Sequence, residues 1–374
     1  MANIQRSALR ISKSSIELFM MCPKKWFFQY YSGLPKKISY PLLFGKEMHG
    51  FINYELLREV KDRNFFFKTI YSAIRGWCRR WSEANKDPKN CQSLFYQSQT
   101  MQKDYLKIGI ACVKNYWQAN EHLPRPIEIE KYYHYLYPYS AGIDIIGTFD
   151  QVRTVSVEWI SGHRPDLIID GKLNPMYAPV VIFDIKTDKR SYDSNLNNYE
   201  ELLKLNQAKY ELVSREEFEK AKKELIHLIE VQHKLHEDIQ ATIYSWLYEM
   251  KHGKKPIGFY WYNVRWGKGF FTFRNNSDYQ NVFEMIQHMI DNINAESFPK
   301  VSSNHCLFCS FVGACRGDGK LIYSGVERSL PGQLGQVLGD KAPSMLYAYK
   351  EDRKPKQLRF KFKVERIKKD QTTK

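Results

Sequence analysis

The chain has 374 residues, with 57 Lys+Arg against 41 Asp+Glu and a formal net charge of +16. At 43% hydrophobic and 26% charged residues, wholesale disorder, a collagen-like repeat and a small disulfide scaffold are all excluded. The positive surplus points to a polyanionic partner, nucleic acid ahead of an anionic membrane surface, and the length allows two domains or one large decorated one.

The N-terminal residues contain no apolar run of signal-peptide length, and no membrane-spanning apolar stretch occurs anywhere. The expectation is an intracellular, cytoplasmic protein that does not span a membrane. Seven cysteines, at 22, 78, 91, 112, 306, 309 and 315, are odd in number and scattered, which argues against a full disulfide framework.

In chain order, Ser14-Ser15-Ile16-Glu17 reads as a capping box that opens a short helix closing at Cys22-Pro23. Residues 46–120 place aromatics (Phe51, Tyr54, Trp77, Trp81, Tyr105, Tyr116) at helical intervals and predict several helices broken near Asn85–Asn90. From about 127 to 186 the texture is that of strands, with Ile143–Phe149, Val152–Trp159 and the apolar Val180–Phe183 as candidates. Ser214-Arg215-Glu216-Glu217 starts a long helical pattern to about Met250. Ile257–Trp266 and Phe270–Arg274 flank Gly267-Lys268-Gly269 as a hairpin, and a further helix is predicted over Asp278–Ala295. Residues 350–374 hold eleven Lys/Arg against four acids.

Asp184 and Lys186 stand two apart at the end of the apolar strand, so both project to one side of it, while Asp150 closes Gly147-Thr148-Phe149-Asp150 upstream. Two strand-borne carboxylates suit a hard cation, and a neighbouring lysine can orient water and offset the charge of a phosphorane. Taken alone they are equally strand-end carboxylates and a solvated lysine. Gln240 and Tyr244 are spaced to share a helix face, and His49 could add a nitrogen ligand to a divalent ion.

The strongest local signal is Cys306-Leu307-Phe308-Cys309, followed after five residues by Cys315. Three thiolates at this spacing suit a zinc site or an iron–sulfur cluster, each of which needs a fourth ligand. Cys22 at its helix end is one candidate. His305, completing a Cys₃His zinc site, is the other. Cys78, Cys91 and Cys112 read as incidental thiols.

The succession Ser14-x-x-Glu17 with Cys22-Pro23, Gly45-x-x-x-His49, Gly147-x-x-Asp150, Asp184-x-Lys186-Thr187, Gln240-x-x-x-Tyr244 and Cys306-x₂-Cys309-x₅-Cys315 resembles the RecB-like branch of the PD-(D/E)XK nuclease superfamily. Within that branch it is similar to the four-cysteine nucleases of CRISPR adaptation and of AddB subunits, over about residues 12–316. The resemblance implies an α/β fold, a restriction-endonuclease-like core with a mixed central sheet, helical insertions and an iron–sulfur cluster joining the N- and C-terminal segments. It implies Mg²⁺ or Mn²⁺ on His49, Asp150 and Asp184, with Asp150, Asp184, Lys186, Gln240 and Tyr244 as the catalytic set. It also implies a 4Fe-4S cluster on Cys22, Cys306, Cys309 and Cys315.

The expected division is 1–45, an N-terminal cluster-ligand helix and the start of the nuclease fold; 46–130, a helical section; 131–316, the nuclease core with a helical insertion near 190–250 and the cysteine cluster; and 317–374, a basic extension. The expected activity is metal-dependent hydrolysis of DNA by an exonuclease acting on single-stranded or end-processed substrate. The alternative is a non-catalytic nucleic-acid-binding or assembly subunit that keeps the fold. DNA is the expected partner. No Gly-x₄-Gly-Lys-Ser/Thr loop is present, so a motor would come from a separate helicase, recombination or defence protein.

This sequence departs from the pattern between Val152 and Val180, where the interval is long and contains Pro165-Asp166 and Asp170-Gly171-Lys172, an imitation of the superfamily motif. Asp170-Gly171 reads as a turn, so Asp184 and Lys186 are preferred. Tyr260, Trp261, Tyr262 and Trp266 on the hairpin are available for base stacking, although each is more readily a core residue.

Overall fold

The computed structural model describes residues 9–32, 38–56, 69–94, 98–120, 126–188 and 215–316. The basic tail and residues 189–214 of the expected insertion lie outside the described residues. Six strands make the main sheet: β1 (Leu9–Ser12), β2 (Pro126–Leu136), β3 (Ile143–Thr154), β6 (Tyr177–Lys186), β7 (Lys255–Asn263) and β8 (Lys268–Thr272). The order is β1-β3-β6-β7-β8 with β2 also on β3; β1/β3 and β6/β7 are parallel and the other pairs antiparallel, so the sheet is mixed.

One consequence of this pairing places the site. A strand has two edges, and β2 runs along β3 from Asp144 to Arg153, so β1 and β6 must share the opposite edge. There β1 takes Ile143–Ile146 and β6 takes Gln151–Thr154. Gly147 to Asp150 fall between the two registers, and the sheet forks at them.

Helices cover both faces. Helix α1 (Lys13–Met21) is capped by Ser12, whose Oγ accepts the Ser15 N–H at 3.3 Å. The expected capping box at Ser14 is therefore displaced by two residues, and Glu17 pairs instead with Lys13 at 3.0 Å. Cys22 ends α1 and precedes the Pro that starts α2 (Pro23–Trp26). The helical section comprises α3 (Tyr40–Gly50), α4 (Ile70–Ala84), α5 (Pro88–Ser93) and α6 (Gln99–Asn120), with the expected break after Ala84.

Val152–Trp159 is not one strand. β3 stops at Thr154, and Ser156, accepting the Trp159 N–H, caps α7 (Val157–His163). Likewise the single long helix to Met250 is two, α8 (Arg215–His236) and α9 (Ile239–His252). Asp238 breaks the run because its carboxylate accepts the Gln240 N–H at 2.8 Å as an N-cap, and Gly253 at φ 68° closes α9. The imitation motif forms the small hairpin β4 (Ile168–Ile169) and β5 (Lys172–Leu173), turning through Asp170 and Gly171 at φ 50° and 74°. Asp166 is held there by Arg164 at 2.7 Å.

Two cores sandwich the sheet. On one side Ile16 and Phe19 of α1 and Ile243 and Leu247 of α9 meet α10 (Asn276–Asn294) and the sheet residues Ile182, Phe259 and Trp261. On the other, Phe44, Trp77, Trp81 and Tyr116 of the helical section meet Phe183, Ile185 and Tyr262. The alternation along β6 sends Val180 and Ile182 to the first core and Phe183 and Ile185 to the second, so Asp184 and Lys186 emerge on the α9 side. Trp261 and Tyr262 are core residues and are removed from the base-stacking set, whereas Trp266 is exposed. Among the described residues no helix is long and apolar enough to cross a membrane.

Candidate active site

Asp150 stands at the fork, and its carboxylate does there what a neighbouring strand would do. Its Oδ2 accepts the Ile185 N–H of β6 at 2.8 Å. His49, in the last turn of α3, brings Nδ1 to 3.3 Å from Oδ1 and 3.2 Å from Oδ2. Burial alone pushes the Asp150 carboxyl up, but the His49 charge and hydrogen bond, the Ile185 N–H and Lys186 together hold it below the usual carboxylate range. The same pair acts on His49. Burial pulls its imidazole down, and the Asp150 charge and hydrogen bond outweigh that to leave it above its ordinary value.

Asp184 and Lys186 meet as the spacing predicts, with Nζ 2.6 Å from Oδ2. Gln240, in the first turn of α9, joins both: its Nε2 donates to Asp184 Oδ1 and its Oε1 accepts from Lys186 Nζ at 3.1 Å. Lys186 Nζ also lies 4.7 Å from the centre of the buried Trp261 ring, a cation–π seat that fixes the lysine from the side. Burial lifts the Asp184 carboxyl to about 6 although Lys186 opposes it, and the Asp150 charge adds to the rise. For Lys186 burial acts downward, but Asp184, Asp150 and Asp238 outweigh it and the ammonium is held above its usual range.

Tyr244, one turn along α9, stacks on Phe149 at 4.6 Å and 28°. Its approach explains Gly147, since a Cβ there would lie 2.8 Å from Tyr244 Cε1. Gly45 is similar, with a Cβ position 3.3 Å from Thr187 Oγ1, so α3 passes close to the end of β6. The structure thus brings His49, Asp150, Asp184, Lys186, Gln240 and Tyr244 into one place.

Two residues there carry no motif. Glu130 of β2 is flanked by the pairs Ile129–Gln151 and Lys131–Phe149, which places it beside Asp150, and its φ of 47° is left-handed, rare for a residue other than glycine. Asn53 donates to Glu130 Oε1 at 2.6 Å and itself accepts from the buried Gln151 at 2.9 Å. Burial raises the Glu130 carboxyl, Asn53 opposes that, and the charges of Asp150 and Asp184 add to the rise. Only the register across from Asp150 identifies Glu130; Glu128 two residues earlier has the same sequence appearance.

The donor set at the fork is oxygen-rich with one imidazole, as Mg²⁺ or Mn²⁺ prefers. Asp184 Oδ2 is buried with Lys186 Nζ as its ion-pair partner at 2.6 Å, and a carboxylate oxygen with one such partner retains a lone pair for a cation. His49, Asp150 and Asp184 therefore fit the ion, although no three His, Cys, Asp or Glu side chains among the described residues already close on one point.

The second constellation lies where α1 meets the C-terminal segment. Cys22, Cys306, Cys309 and Cys315 are not in disulfides, and all four line one small cavity of about 60 Å³, together with His305, Lys25 and Phe28. Burial raises the Cys309 thiol, the Phe311 N–H and Lys25 lower it, and Cys22 and Cys306 add to the rise, so these sulfurs lie within charge reach of one another. Cys112 is buried in the second core, its thiol pushed up to about 12 by burial, and Cys78 and Cys91 stand apart from the cavity.

A mixed sheet that forks at an acid from one strand, with an acid-x-lysine on the next and helices on both faces, is the architecture of a metal-dependent nuclease core. The family model described as the PD-(D/E)XK nuclease superfamily matches residues 10–207 and 219–316, and the chain belongs to that superfamily. Its members typically use Mg²⁺ or Mn²⁺ and act on nucleic acid. No curated protein matches the sequence.

Proposed function

We propose that the protein is a RecB-like deoxyribonuclease, an exonuclease that hydrolyses single-stranded or end-processed DNA with Mg²⁺ or Mn²⁺. The observation that carries this reading is the Asp184–Lys186–Gln240 arrangement, with Lys186 Nζ 2.6 Å from Asp184 at the fork beside Asp150 and His49. His49, Asp150 and Asp184 hold the divalent ion, which when bound polarises a phosphoryl oxygen and lowers the pKa of a bound water. Lys186, kept as an ammonium, orients the attacking water and offsets the negative charge that grows on the phosphorane. Gln240 keeps Lys186 and Asp184 in register, and Tyr244 supports Gly147 and Phe149 from behind. Trp261 serves by seating the lysine rather than by stacking on a base.

In the same reading, Cys22, Cys306, Cys309 and Cys315 hold a 4Fe-4S cluster that fastens the N-terminal helix to the C-terminal segment. Four thiols from two distant segments lining one cavity supply the ligand number that a 4Fe-4S cluster needs. A Cys₃His zinc site through His305 is the competing occupant and would be colourless, whereas the cluster is brown. The setting is intracellular, with a helicase or a recombination or defence protein as partner.

The test is anaerobically purified protein on linear and circular single-stranded DNA with Mg²⁺ or Mn²⁺. Linear strands are shortened from their ends while circles persist. Equal loss of circles makes the protein an endonuclease, and binding without cleavage of either makes it an assembly subunit.

A further inference from the structure

A groove of about 380 Å³, open to solvent, adjoins the candidate active site through Gln240 and Tyr244 and reaches the fork at Gly147 and Thr148. Its floor is Gly147 and Thr148 of β3; one wall is Ser12, Lys13 and Ser14 at the start of α1, and another is Tyr132 of β2. Gln240 and Tyr244 line the end nearest the carboxylates, so groove and site share two residues. Thr148 is two residues before Asp150 and faces Tyr132 across the β2–β3 ladder. A chain with its phosphate at Asp150 and Asp184 therefore has its neighbouring nucleotide about 7 Å along the strand, over Thr148 and Tyr132.

Tyr132 is unlike the aromatics of the cores. It is 45% exposed, and its ring stacks on His134 at 5.8 Å and 25°, which leaves a ring available beside the groove. Asp144, 3.4 Å from His134 Nδ1, steadies that support. Lys13 adds a cation to the lining, itself paired with Glu17 at 3.0 Å and Asp238 at 3.9 Å. An aromatic face on one wall and hydroxyls with a cation on the other match an unpaired nucleotide, whose base has a π-face and whose backbone is anionic. A base inside a duplex is stacked on both faces by its neighbours and has none to offer such a ring.

We propose that this groove is the subsite for the unpaired nucleotide next to the scissile phosphate, with its base stacked on Tyr132. The proposal rests on the nuclease reading for its orientation along the groove. It adds a specific residue and the chemical feature of the substrate that the residue reads, the base rather than the phosphate.

The test measures binding of the full chain, in EDTA so that no cleavage occurs, to a fluorescent oligodeoxythymidine and to an abasic oligomer of the same length and charge. Tyr132→Ala weakens binding to the oligodeoxythymidine by roughly 5- to 150-fold, the fold-change that about 1–3 kcal/mol per stacked base represents. Its affinity for the abasic oligomer equals that of the wild type, and Tyr132→Phe binds both as the wild type does. Equal losses on both oligomers, or no loss on either, overturn the subsite. The nuclease reading is separated from it by adding Mg²⁺. A wild type that cuts nothing yet shows the base-dependent Tyr132 effect defeats that reading and keeps the subsite, while a cutting enzyme indifferent to Tyr132→Ala does the reverse.

Discussion

At the fork, Asp184, Lys186 and Gln240 hold one another within 3.1 Å, and Asp150 is fixed by a backbone N–H of the next strand and by His49. Around the cysteine cavity the four thiols line a common space, with Cys306 Sγ hydrogen-bonded to the Val301 carbonyl at 3.7 Å and Cys309 to the Phe311 N–H. The first place is assembled by the sheet, with each polar group already aimed, as suits a site whose ligand comes and goes. The second is lined by thiols from two chain segments far apart in sequence, so a group bound by all four would fasten those segments together. Loss of a side chain at the fork should therefore be felt in rate, and loss of one at the cavity in stability.

The sharpest way to break that contrast is Lys186→Met, which keeps the length of the side chain and removes the ammonium. Cleavage rate should fall on the order of 10²–10³-fold, as for loss of one charge-stabilising donor, with a smaller effect on melting temperature than any cysteine change. Cys309→Ser should do the opposite. The brown absorption is lost and, for a cost of about 3 kcal/mol at roughly 2–4 °C per kcal/mol, the melting temperature drops by about 6–12 °C, while the rate per folded molecule stays within about threefold. A Cys309→Ser enzyme that melts normally but is catalytically dead would erase the distinction.

Gly147→Ala sharpens it from the packing side. The added Cβ, 2.8 Å from Tyr244 Cε1, should cost about 1–3 kcal/mol by overpacking and displace α9, so both melting temperature and rate fall. Glu130→Gln should be milder still, a severalfold loss of rate that is read best from the concentration of Mg²⁺ needed for half-maximal cleavage. The smallest effect belongs to the tail. Removal of residues 350–374, with eleven Lys/Arg, should weaken DNA binding and flatten its dependence on salt, checked by affinity across a salt series.

The residues that gather at the fork were legible as neighbours because they lie in local patterns. Asp184 and Lys186 end an apolar strand, and Gln240 and Tyr244 share a helical spacing, so period and order survive into three dimensions. The fork itself was not legible, because it depends on β1 and β6 dividing one edge of β3, and no local pattern encodes such a division. Glu130 is hidden for the same reason, being beside Asp150 only through the β2–β3 register. Val157 and Trp159 misled by their β-propensity, which the Ser156 cap overrode, and the long helix from 214 concealed Asp238, whose side chain starts a new one. Trp261 is the core residue that its sequence reading favoured, but its seat under the lysine was not legible, because a hairpin aromatic reads the same whatever it supports.

Whether the fork cuts DNA through Asp184 and Lys186 is read from cleavage of an end-labelled single strand. Wild-type protein and Asp184→Asn are compared in Mg²⁺ and in Mn²⁺, both purified anaerobically. The wild type should give a product ladder in at least one metal, and the variant should lose on the order of 10²–10³-fold in rate with its melting profile and brown colour kept. An Asp184→Asn protein that cuts as fast as the wild type would contradict the account and move catalysis away from the fork.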